Sequence, residues 1–333
     1  MTPDSLDRRP VRWGIVGTGG IATAFVLDLE LLPDAEVVAV GSRSQTSADA
    51  FGDAHDIGHR YSTYAELVAD PEVDVVYVAT PHPGHYAAAL LAIEAGKAVL
   101  VEKPFMLNAR EAEEVVAAAR QQGTFLMEAM WTRFLPHVVE VRALLAAGAI
   151  GDVVSVVADH GQWFPEDASH RLFAPELGGG ALLDLGVYPI SFCSMVLGTP
   201  SRVTAAGTKA FTGVDAQTSL LLEHASGAHG VVTTTLAAAT ANTAVINGTA
   251  GRIEIARTFY APSSYTVYDR VGQPELHTVP FAGHGLRMQA TEVGRCLRAG
   301  LTESPIMPLD ETLAIMRTMD EARRQTGLAY PGE

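Results

Sequence analysis

The chain has 333 residues, of which 48% are hydrophobic, enough for one large core or, as we expect, for two domains. The formal net charge of -15 argues against nucleic acid or an anionic membrane surface as a partner, because both are bound through clusters of lysine and arginine. The apolar runs are far shorter than the roughly 20 residues that span a bilayer, so we predict no transmembrane helix.

The N-terminal segment carries the pair Arg8-Arg9, but the apolar stretch after it is short and runs directly into a glycine motif. We therefore interpret it as a tail before the first strand and not as a twin-arginine export signal, and we expect a cytoplasmic protein. Cys193 and Cys296 show no metal-ligand spacing and are interpreted as core thiols. We predict no metal site.

From Val11 to about Glu128, short β-branched runs alternate with alanine-rich helical stretches; the runs are VRWGIVG, EVVAVGS, VDVVYVAT, AVLVEK and TFLMEA. Continuous apolar strands separated by helices are typical of a parallel sheet covered on both faces. The pattern predicts an α/β fold that begins with a doubly wound, Rossmann-type dinucleotide-binding domain over residues 1–130.

The first strand leads into GTGGIA, a dinucleotide fingerprint of the form G-x-G-x-x-A. Gly17 would permit a tight turn, Gly19 a close approach of the backbone to the pyrophosphate, and Ala22 close packing of the helix on the strand. The helix N-terminus would supply N–H groups and a partial positive charge. An ordinary glycine-rich turn is the alternative. We predict cofactor contacts at Gly17, Thr18, Gly19, Gly20 and Ile21.

The second strand ends in Gly41-Ser42-Arg43-Ser44, at the place where a protein selective for NAD usually carries Asp or Glu for the ribose 2′-hydroxyl. There is no acid here. A serine hydroxyl and a guanidinium suit a 2′-phosphate, although Arg43 could also simply face solvent. Ser42 and Arg43 therefore favour NADP over NAD as the cofactor.

The strand AVLV is followed by Glu102-Lys103-Pro104. Ligands of an open α/β sheet bind at the carboxyl ends of its strands, so Lys103 is placed to donate to a substrate oxygen and to lower the pKa of a neighbouring acid. A lysine that is only solvated is the alternative. Pro104 biases Lys103 away from the helical region, which favours a defined loop.

Near Gly151 the rhythm changes to long alternating segments such as VVSVVADHGQWF, TSLLLEH and AHGVVTTTL. Period-two alternation with Gly, Asn and Ser turns predicts a large open, mainly antiparallel sheet in an α+β domain over residues 131–333. Two helices, from about Leu286 to Ala299 and from Leu309 to Gln325, are predicted to close the chain and to rejoin the first domain in part.

Five motifs together resemble the Gfo/Idh/MocA oxidoreductase family, that of glucose-fructose oxidoreductase, inositol dehydrogenase and their relatives; they are GTGGIA, VAT-PHPGHY, VEKP, MEAMWTRFLP and GGGALLDLGVYPI. The last two are most similar to the branch of dimeric dihydrodiol dehydrogenase and glucose-fructose oxidoreductase. The resemblance covers nearly the whole chain. It implies an NAD(P)-dependent oxidoreductase acting on CH–OH groups.

The resemblance implies that Lys103, Asp184 and Tyr188 face the nicotinamide as catalytic residues. Asp184 and Tyr188 are four residues apart, so a helix that starts after Gly178-Gly179-Gly180 would carry both on one face. A nearby ammonium would bring the phenol pKa down from about 10, which makes Tyr188 a candidate general acid/base. A half-buried aromatic and a helix cap are the alternatives. Inositol dehydrogenases usually carry histidine at the position of Tyr188, which favours a diol, sugar or keto-sugar substrate.

In the resembled family the loop after the fourth strand lies along the cofactor. Two histidines in this loop of our chain are not interpreted as a metal pair, because a proline and a glycine separate them and no nearby acid completes a site. We predict cofactor contact or helix entry at this loop and cofactor contact at the EKP segment. The residues are Thr80, Pro81, His82, His85, Glu102 and Lys103.

Five residues are further candidates for the substrate. Glu128, Trp131 and Arg133 lie where the family approaches the nicotinamide and the substrate, and Trp163 could wall an apolar or sugar-stacking pocket. His284, between two glycines, could bind substrate. A role as core anchor or sheet cover is the alternative for the tryptophans.

The sequence thus predicts an NADP-dependent oxidoreductase that transfers a hydride to or from a CH–OH or C=O group of a small diol, sugar or keto-sugar. One alternative is an NAD-dependent polyol or inositol-type dehydrogenase of the same family. Another is a non-catalytic NADP-binding sensor, against which Lys103 and Tyr188 argue. The resemblance also implies a homodimer or larger homo-oligomer paired through the open sheet.

Overall fold

The computed structural model describes residues 9–333, so Arg8 of the N-terminal arginine pair lies outside the described residues. The described chain forms two compact units. The first contains the residues up to 131 together with 283–312, and the second contains residues 132–282 and 313–333. Residues 283–312, which lie beyond the predicted boundary at residue 130, are thus grouped with the first unit, in agreement with the expectation that the C-terminal helices rejoin it in part.

The first unit is built on a parallel sheet of six strands, β1 (Val11–Val16), β2 (Ala35–Gly41), β3 (His59–Tyr61), β4 (Val75–Val78), β5 (Ala98–Val101) and β6 (Leu126–Glu128). The order is β3-β2-β1-β4-β5-β6, and every neighbouring pair is parallel. This is the doubly wound order with its switch point between β1 and β4, which confirms the predicted Rossmann fold. All residues of β4 and β5 are buried, as their apolar runs indicated.

Helices connect the strands of the first unit: α1 (Gly20–Leu29), α2 (Gln45–Ala54), α3 (Tyr64–Ala69), α4 (His85–Glu94) and α5 (Ala109–Gln122). Ser44, Thr63 and Asn108 cap α2, α3 and α5, each accepting a hydrogen bond from the N–H three residues on. Such caps satisfy one of the free N–H groups at a helix start. Helices α1 and α4 differ, because their caps are Gly19 and Gly84 and have no side-chain acceptor.

A later helix, α8 (Leu286–Arg298), belongs to the first unit for a visible reason. The buried carboxylate of Asp28, on α1, accepts the backbone N–H groups of Gly285 at 3.0 Å and of Arg287 at 2.8 Å, and it also pairs with the Arg287 guanidinium at 3.1 Å. A buried carboxylate needs such partners. This bonding joins the start of α8 to α1.

The second unit contains a sheet of eight strands, β7 (Val153–Gly161), β8 (Arg202–Lys209), β9 (Asp215–Glu223), β10 (His229–Thr235), β11 (Ala244–Gly248), β12 (Gly251–Ile255), β13 (Ser264–Asp269) and β14 (Pro274–Thr278). Its order is β14-β13-β12-β11-β7-β10-β9-β8, with β7 and β10 parallel and all other neighbours antiparallel. The predicted open, mainly antiparallel sheet is confirmed.

Three further helices complete the chain, α6 (Pro136–Ala146), α7 (Val187–Leu197) and α9 (Leu309–Thr326). Helix α7 packs against β7 and β10, and Val187 to Ser194 are all buried. The segment Pro175–Leu197 is long and apolar enough to cross a bilayer by length and composition alone, but 83% of its apolar window is buried within the protein. Burial on all sides is typical of the core helix of a globular protein.

Both cysteines are buried free thiols, as predicted. Burial raises the pKa of Cys193, on α7, to about 12. A thiol with so high a pKa stays protonated and unreactive, because the thiolate is the nucleophile. The cysteines therefore serve the packing of the core.

Candidate active site

The glycine fingerprint forms the turn between β1 and α1. Gly17 has a φ of +105°, and a Cβ there would lie 2.7 Å from the carbonyl oxygen of Ala79, so only glycine fits. A Cβ on Gly19 or Gly20 would have no neighbouring atom within 4 Å. Because no side chain caps α1, the N–H groups of its first turn are left for a ligand. This loop, with Thr18 half-buried and Ile21 exposed, fits the pyrophosphate of a dinucleotide.

The end of β2 carries a cation. Ser42 is buried and Arg43 is exposed, and Arg43 makes no hydrogen bond or ion pair with any residue from 9 to 333. The next residue, Ser44, caps α2, whose first turn holds no acidic side chain. The carboxylate that would accept the ribose hydroxyls of NAD is therefore missing at this strand end, and a guanidinium is available there instead.

Lys103 follows β5 in a loop whose backbone is hydrogen-bonded to the Glu102 side chain. The buried Glu102 carboxylate accepts the Tyr77 hydroxyl at 2.5 Å and the backbone N–H of Lys103 at 3.2 Å. Tyr77 is itself fully buried and stacks on Phe25, with ring centroids 3.9 Å apart. The core thus fixes the backbone from which the Lys103 side chain departs. These two bonds tie the Glu102 carboxylate to the protein core. The predicted contact of Glu102 with the cofactor stays a prediction.

His85 connects the loops after β4 and β5, a role that the sequence did not predict. In its buried ring Nε2 lies 2.9 Å from the carbonyl oxygen of Thr80, and Nδ1 lies 3.0 and 3.3 Å from those of Pro104 and Phe105. The neutral ring has one N–H and donates on one of these two sides. Burial lowers the pKa of His85 and the charge of Lys103 lowers it further, against the opposite effect of the carbonyls. The ring therefore lies between the two loops, and His85 is the first residue of α4, as the helix-entry alternative predicted. Its contact with the cofactor stays a prediction.

The rest of the β4 loop lies beside this ring. Pro81 is exposed, and His82 is buried with its ring centroid 5.8 Å from that of His85. The Thr80 hydroxyl is buried and has no hydrogen-bond partner among the described residues. Buried hydroxyls usually have a partner, so this one is available to bind a ligand. No group of three or more His, Cys, Asp or Glu side chains in residues 9–333 is arranged to hold a metal ion.

In the second unit the chain enters α7 through a π-helical turn, Leu182–Gly186. Asp184 lies in this turn and Tyr188 in the first turn of α7. The π-turn was not foreseen by the four-residue spacing, which assumed a regular α-helix; such turns are frequent at functional sites. The buried Asp184 carboxylate is held by both terminal nitrogens of Arg171, at 3.0 and 3.1 Å.

The Tyr188 ring is buried against two other rings that the sequence did not single out. Its centroid lies 5.3 Å from that of His160 and 5.0 Å from that of Tyr260, and these two stack at 4.0 Å. His160 Nδ1 lies 3.1 Å from the carbonyl of Leu185, which can only accept, so Nδ1 carries a proton. The Gln162 amide, as assigned, lies 3.0 Å from the other ring nitrogen. The cluster fixes the orientation of Tyr188.

The remaining substrate candidates are dispersed. Glu128 is fully buried in the first unit and accepts the Thr312 hydroxyl at 3.1 Å, and Arg133 is buried in the second unit, where it donates to the Ser191 carbonyl on α7 at 2.8 Å. Both therefore support the protein interior. Trp131 is half-buried at the start of a 3₁₀ turn.

Two other candidates are at the surface. The Trp163 side chain is 64% exposed, so the pocket wall predicted there is not formed within its unit. The exposed His284 has its backbone N–H bonded to Asp28 at 3.0 Å. Asp28 lies in the last turn of α1, about 12 Å along the helix from Gly20 at 1.5 Å per residue. His284 is thus anchored away from the glycine loop.

Asp215, at the start of β9, supports the π-turn from beneath. Its Oδ2 accepts the Leu182 N–H at 2.8 Å and the Thr218 hydroxyl at 2.9 Å. A Cβ on Gly180 would collide with Oδ1, which has no partner among the described residues. Burial raises the pKa of Asp215 to about 7, although the Thr218 and Leu182 bonds and the charge of Arg323 lower it.

This carboxyl should make the second unit less stable as the pH rises. Because the folded pKa lies above the ordinary 3.8, the protonated form of Asp215 stabilises the folded unit, and this stabilisation is complete below about pH 4. As the pH rises through 7 the stabilisation is lost, which lowers the free energy of unfolding by up to about 4 kcal/mol. Asp215→Asn mimics the protonated form, so the difference in unfolding free energy between pH 5 and pH 8 should shrink. Urea unfolding at both values measures it. Asp152→Asn, at an exposed site in the same unit, is the control, and equal pH dependence in all three proteins would refute the effect.

Comparisons with known proteins identify the family of this chain. Residues 11–130 match the family described as "Oxidoreductase family, NAD-binding Rossmann fold", and residues 138–254 match the "GFO/IDH/MocA C-terminal domain". The chain is 40% identical over 331 residues to trans-1,2-dihydrobenzene-1,2-diol dehydrogenase of Bos taurus, covering 96% of this chain and 98% of that one.

Two solved structures are also similar over the full chain. The aldose-aldose oxidoreductase of Caulobacter crescentus, complexed with glycerol, has a TM-score of 0.88 and 26% identity. A 3-ketoreductase from Actinomadura kijaniata, in complex with TDP-benzene and NADP in an open conformation, has a TM-score of 0.82 and 27% identity. Each comparison covers 96% of this chain and 98% of the other.

Proposed function

Because the chain belongs to the Gfo/Idh/MocA family of NAD(P)-dependent oxidoreductases, we propose that it uses NADP and oxidises or reduces a CH–OH or C=O group of a small diol, sugar or keto-sugar. The observation that carries this proposal is the full-length similarity to an enzyme named as a trans-diol dehydrogenase, in a chain that has Lys103 and Tyr188. The names of the two similar structures, which specify an aldose and a 3-keto group, are compatible with this substrate class.

The nucleotide is proposed to lie along the carboxyl ends of the parallel strands. The GTGG turn and the free N–H groups of α1 would hold its pyrophosphate, and Thr80 would offer its buried hydroxyl. Ser42 and Arg43 would take the 2′-phosphate. When bound, the nicotinamide donates or accepts a hydride.

The chain itself supplies the proton chemistry. We assign to the Tyr188 hydroxyl the transfer of a proton to or from the substrate oxygen, and to the Lys103 ammonium the stabilisation of developing alkoxide. The packing of Tyr188 against His160 and Tyr260 limits its ring to one orientation, and the Glu102 and His85 bonds fix the backbone at Lys103. Such restraint keeps a reacting group in the geometry that its reaction needs.

Arg43→Ala should weaken NADPH binding by about 10- to 100-fold, the range for one lost charge-assisted hydrogen-bond pair, while NADH binding changes by less than about twofold. The reason is that only NADPH has a 2′-phosphate for the guanidinium. Fluorescence titration with both cofactors measures the effect. The control is Arg110→Ala, on the exposed face of α5, where the guanidinium pairs with Glu114 at 2.8 Å. Equal losses for NADPH and NADH would show that Arg43 does not read the 2′-phosphate.

The proposed function is tested by titrating the purified protein with NADPH and NADH and then measuring turnover, at saturating cofactor, of a panel of trans-diols, dicarbonyls and keto-sugars. We expect tight NADPH binding and turnover of at least one panel member. Tight binding without any turnover would favour the sensor alternative. Preferential binding of NADH would favour the NAD-dependent polyol dehydrogenase.

A homodimer is proposed through the open face of the second sheet. Leu221, Val231 and Val157 are neighbours in register on β9, β10 and β7, and all three side chains are exposed. A continuous row of exposed apolar side chains across a sheet is typical of an interaction surface. Light scattering on the purified protein measures the mass that decides between monomer and dimer.

A further inference from the structure

Arg171 is an exposed residue that pairs with Asp184 of the π-helical turn. It lies in a 3₁₀ turn, Arg171–Phe173, and its side chain is 56% exposed, whereas the Asp184 side chain that it covers is buried. The family resemblance implied that Asp184 faces the nicotinamide as a catalytic residue. With both carboxylate oxygens engaged by one guanidinium, the group presented to a ligand at this turn is the arginine.

The Arg171 guanidinium has N–H donors that the pairing with Asp184 does not use. Of its five N–H groups, those directed at Asp184 leave Nε–H and the outer N–H groups without a hydrogen-bond partner among residues 9–333. The carboxylate that it holds, Asp184, lies four residues before Tyr188, the proposed proton-transfer group. Arg171 therefore combines a fixed position, unused donors and a bond to the turn that leads into Tyr188.

We propose that Arg171 determines substrate specificity, by donating to a second oxygen next to the reacting carbon, such as the neighbouring hydroxyl of a vicinal diol or sugar. Its pairing with Asp184 holds the planar guanidinium in the orientation that this donation requires. This role rests on the proposed function, since it presupposes that Tyr188 serves the reacting oxygen. It explains why a buried carboxylate beside Tyr188 is paired with a solvent-facing arginine.

The test compares trans-cyclohexane-1,2-diol with cyclohexanol, which lacks the second oxygen. Arg171→Ala removes the partner of Asp184 for both substrates alike, so the readout is the ratio of kcat/KM for the diol to kcat/KM for the mono-alcohol. We expect this ratio to fall about 10- to 100-fold, as for other lost charge-assisted hydrogen bonds. Arg171→Lys, which keeps the charge and a donor but not the fork, should recover part of it.

The control is Arg202→Ala, an exposed arginine on β8 of the same unit that pairs with Glu223 at 3.3 Å, and it should leave the ratio unchanged. A ratio that stays within about twofold in Arg171→Ala, with both rates reduced, would overturn the proposal and reduce Arg171 to a support of Asp184.

A second measurement separates this proposal from the proposed function. The same two compounds are titrated against the protein saturated with NADP⁺, and the ratio of their Kd values is compared between the wild type and Arg171→Ala. Absence of turnover in the wild type would contradict the proposed function alone. Loss of preferential diol binding in Arg171→Ala would support the role of Arg171 in either case, and an unchanged binding ratio would overturn it.

Discussion

Lys103→Ala should reduce kcat by about 10²- to 10⁴-fold while leaving the affinity for NADPH nearly unchanged. The lysine is the proposed donor to the substrate oxygen, whereas the pyrophosphate and the 2′-phosphate are assigned to the GTGG turn and to Arg43. Single-turnover rates at saturating NADPH measure the chemical step, and fluorescence titration measures the binding.

The structure gives a reason to expect that this loss is local. The Lys103 backbone is held by Glu102, and the loop that follows is held by His85, and neither contact uses the lysine side chain. Lys209→Ala is a matched control, because this exposed lysine on β8 makes one bond to the carbonyl of Gly327 at 2.7 Å. It should keep full activity. Normal turnover in Lys103→Ala would remove this residue from the mechanism.

The fold of the first unit could be predicted because each strand and the glycine turn can be recognised from a short stretch of sequence. A strand buried on both faces must be apolar at every position, so β4 and β5 are visible as continuous runs, and the fingerprint marks the turn after β1. The sequence predicted that the C-terminal helices rejoin this unit in part, which α8 does, but not the contact that joins it. That contact depends on Asp28, whose carboxylate bonds residues of a distant segment, and an acid within a helix indicates solvent exposure until its partner is known.

In the candidate site, too, some residues can be recognised from the sequence and others only from the structure. Lys103, Asp184 and Tyr188 stand in motifs that can be recognised in one dimension, but the residues that orient them cannot be found in this way. Arg171 lies in an irregular segment without periodicity, and only the folded chain brings it to Asp184. Glu128 stays a prediction as a substrate residue: it stands at a strand end, and what the sequence did not show is its burial and its bond from the Thr312 hydroxyl.

The environment of Tyr188 makes a clean deletion of its hydroxyl possible. The ring is positioned by contacts of its faces and edges with His160 and Tyr260, and these contacts are the same for phenylalanine. Removing the hydroxyl therefore removes the proposed proton-transfer group and keeps these two ring contacts.

Tyr188→Phe should lower kcat by about 10²- to 10⁴-fold, and the pH dependence of the wild-type rate that arises from the phenol should disappear. Profiles of kcat against pH in the oxidation direction measure both effects. The control is Tyr265→Phe in the same unit, where burial raises the pKa of the phenol to about 12 and its hydroxyl donates to Glu140 at 2.9 Å. This variant should retain activity. If Tyr188→Phe instead raised KM at unchanged kcat, the phenol would bind substrate without moving its proton, and the proton-transfer role assigned to Tyr188 would be wrong.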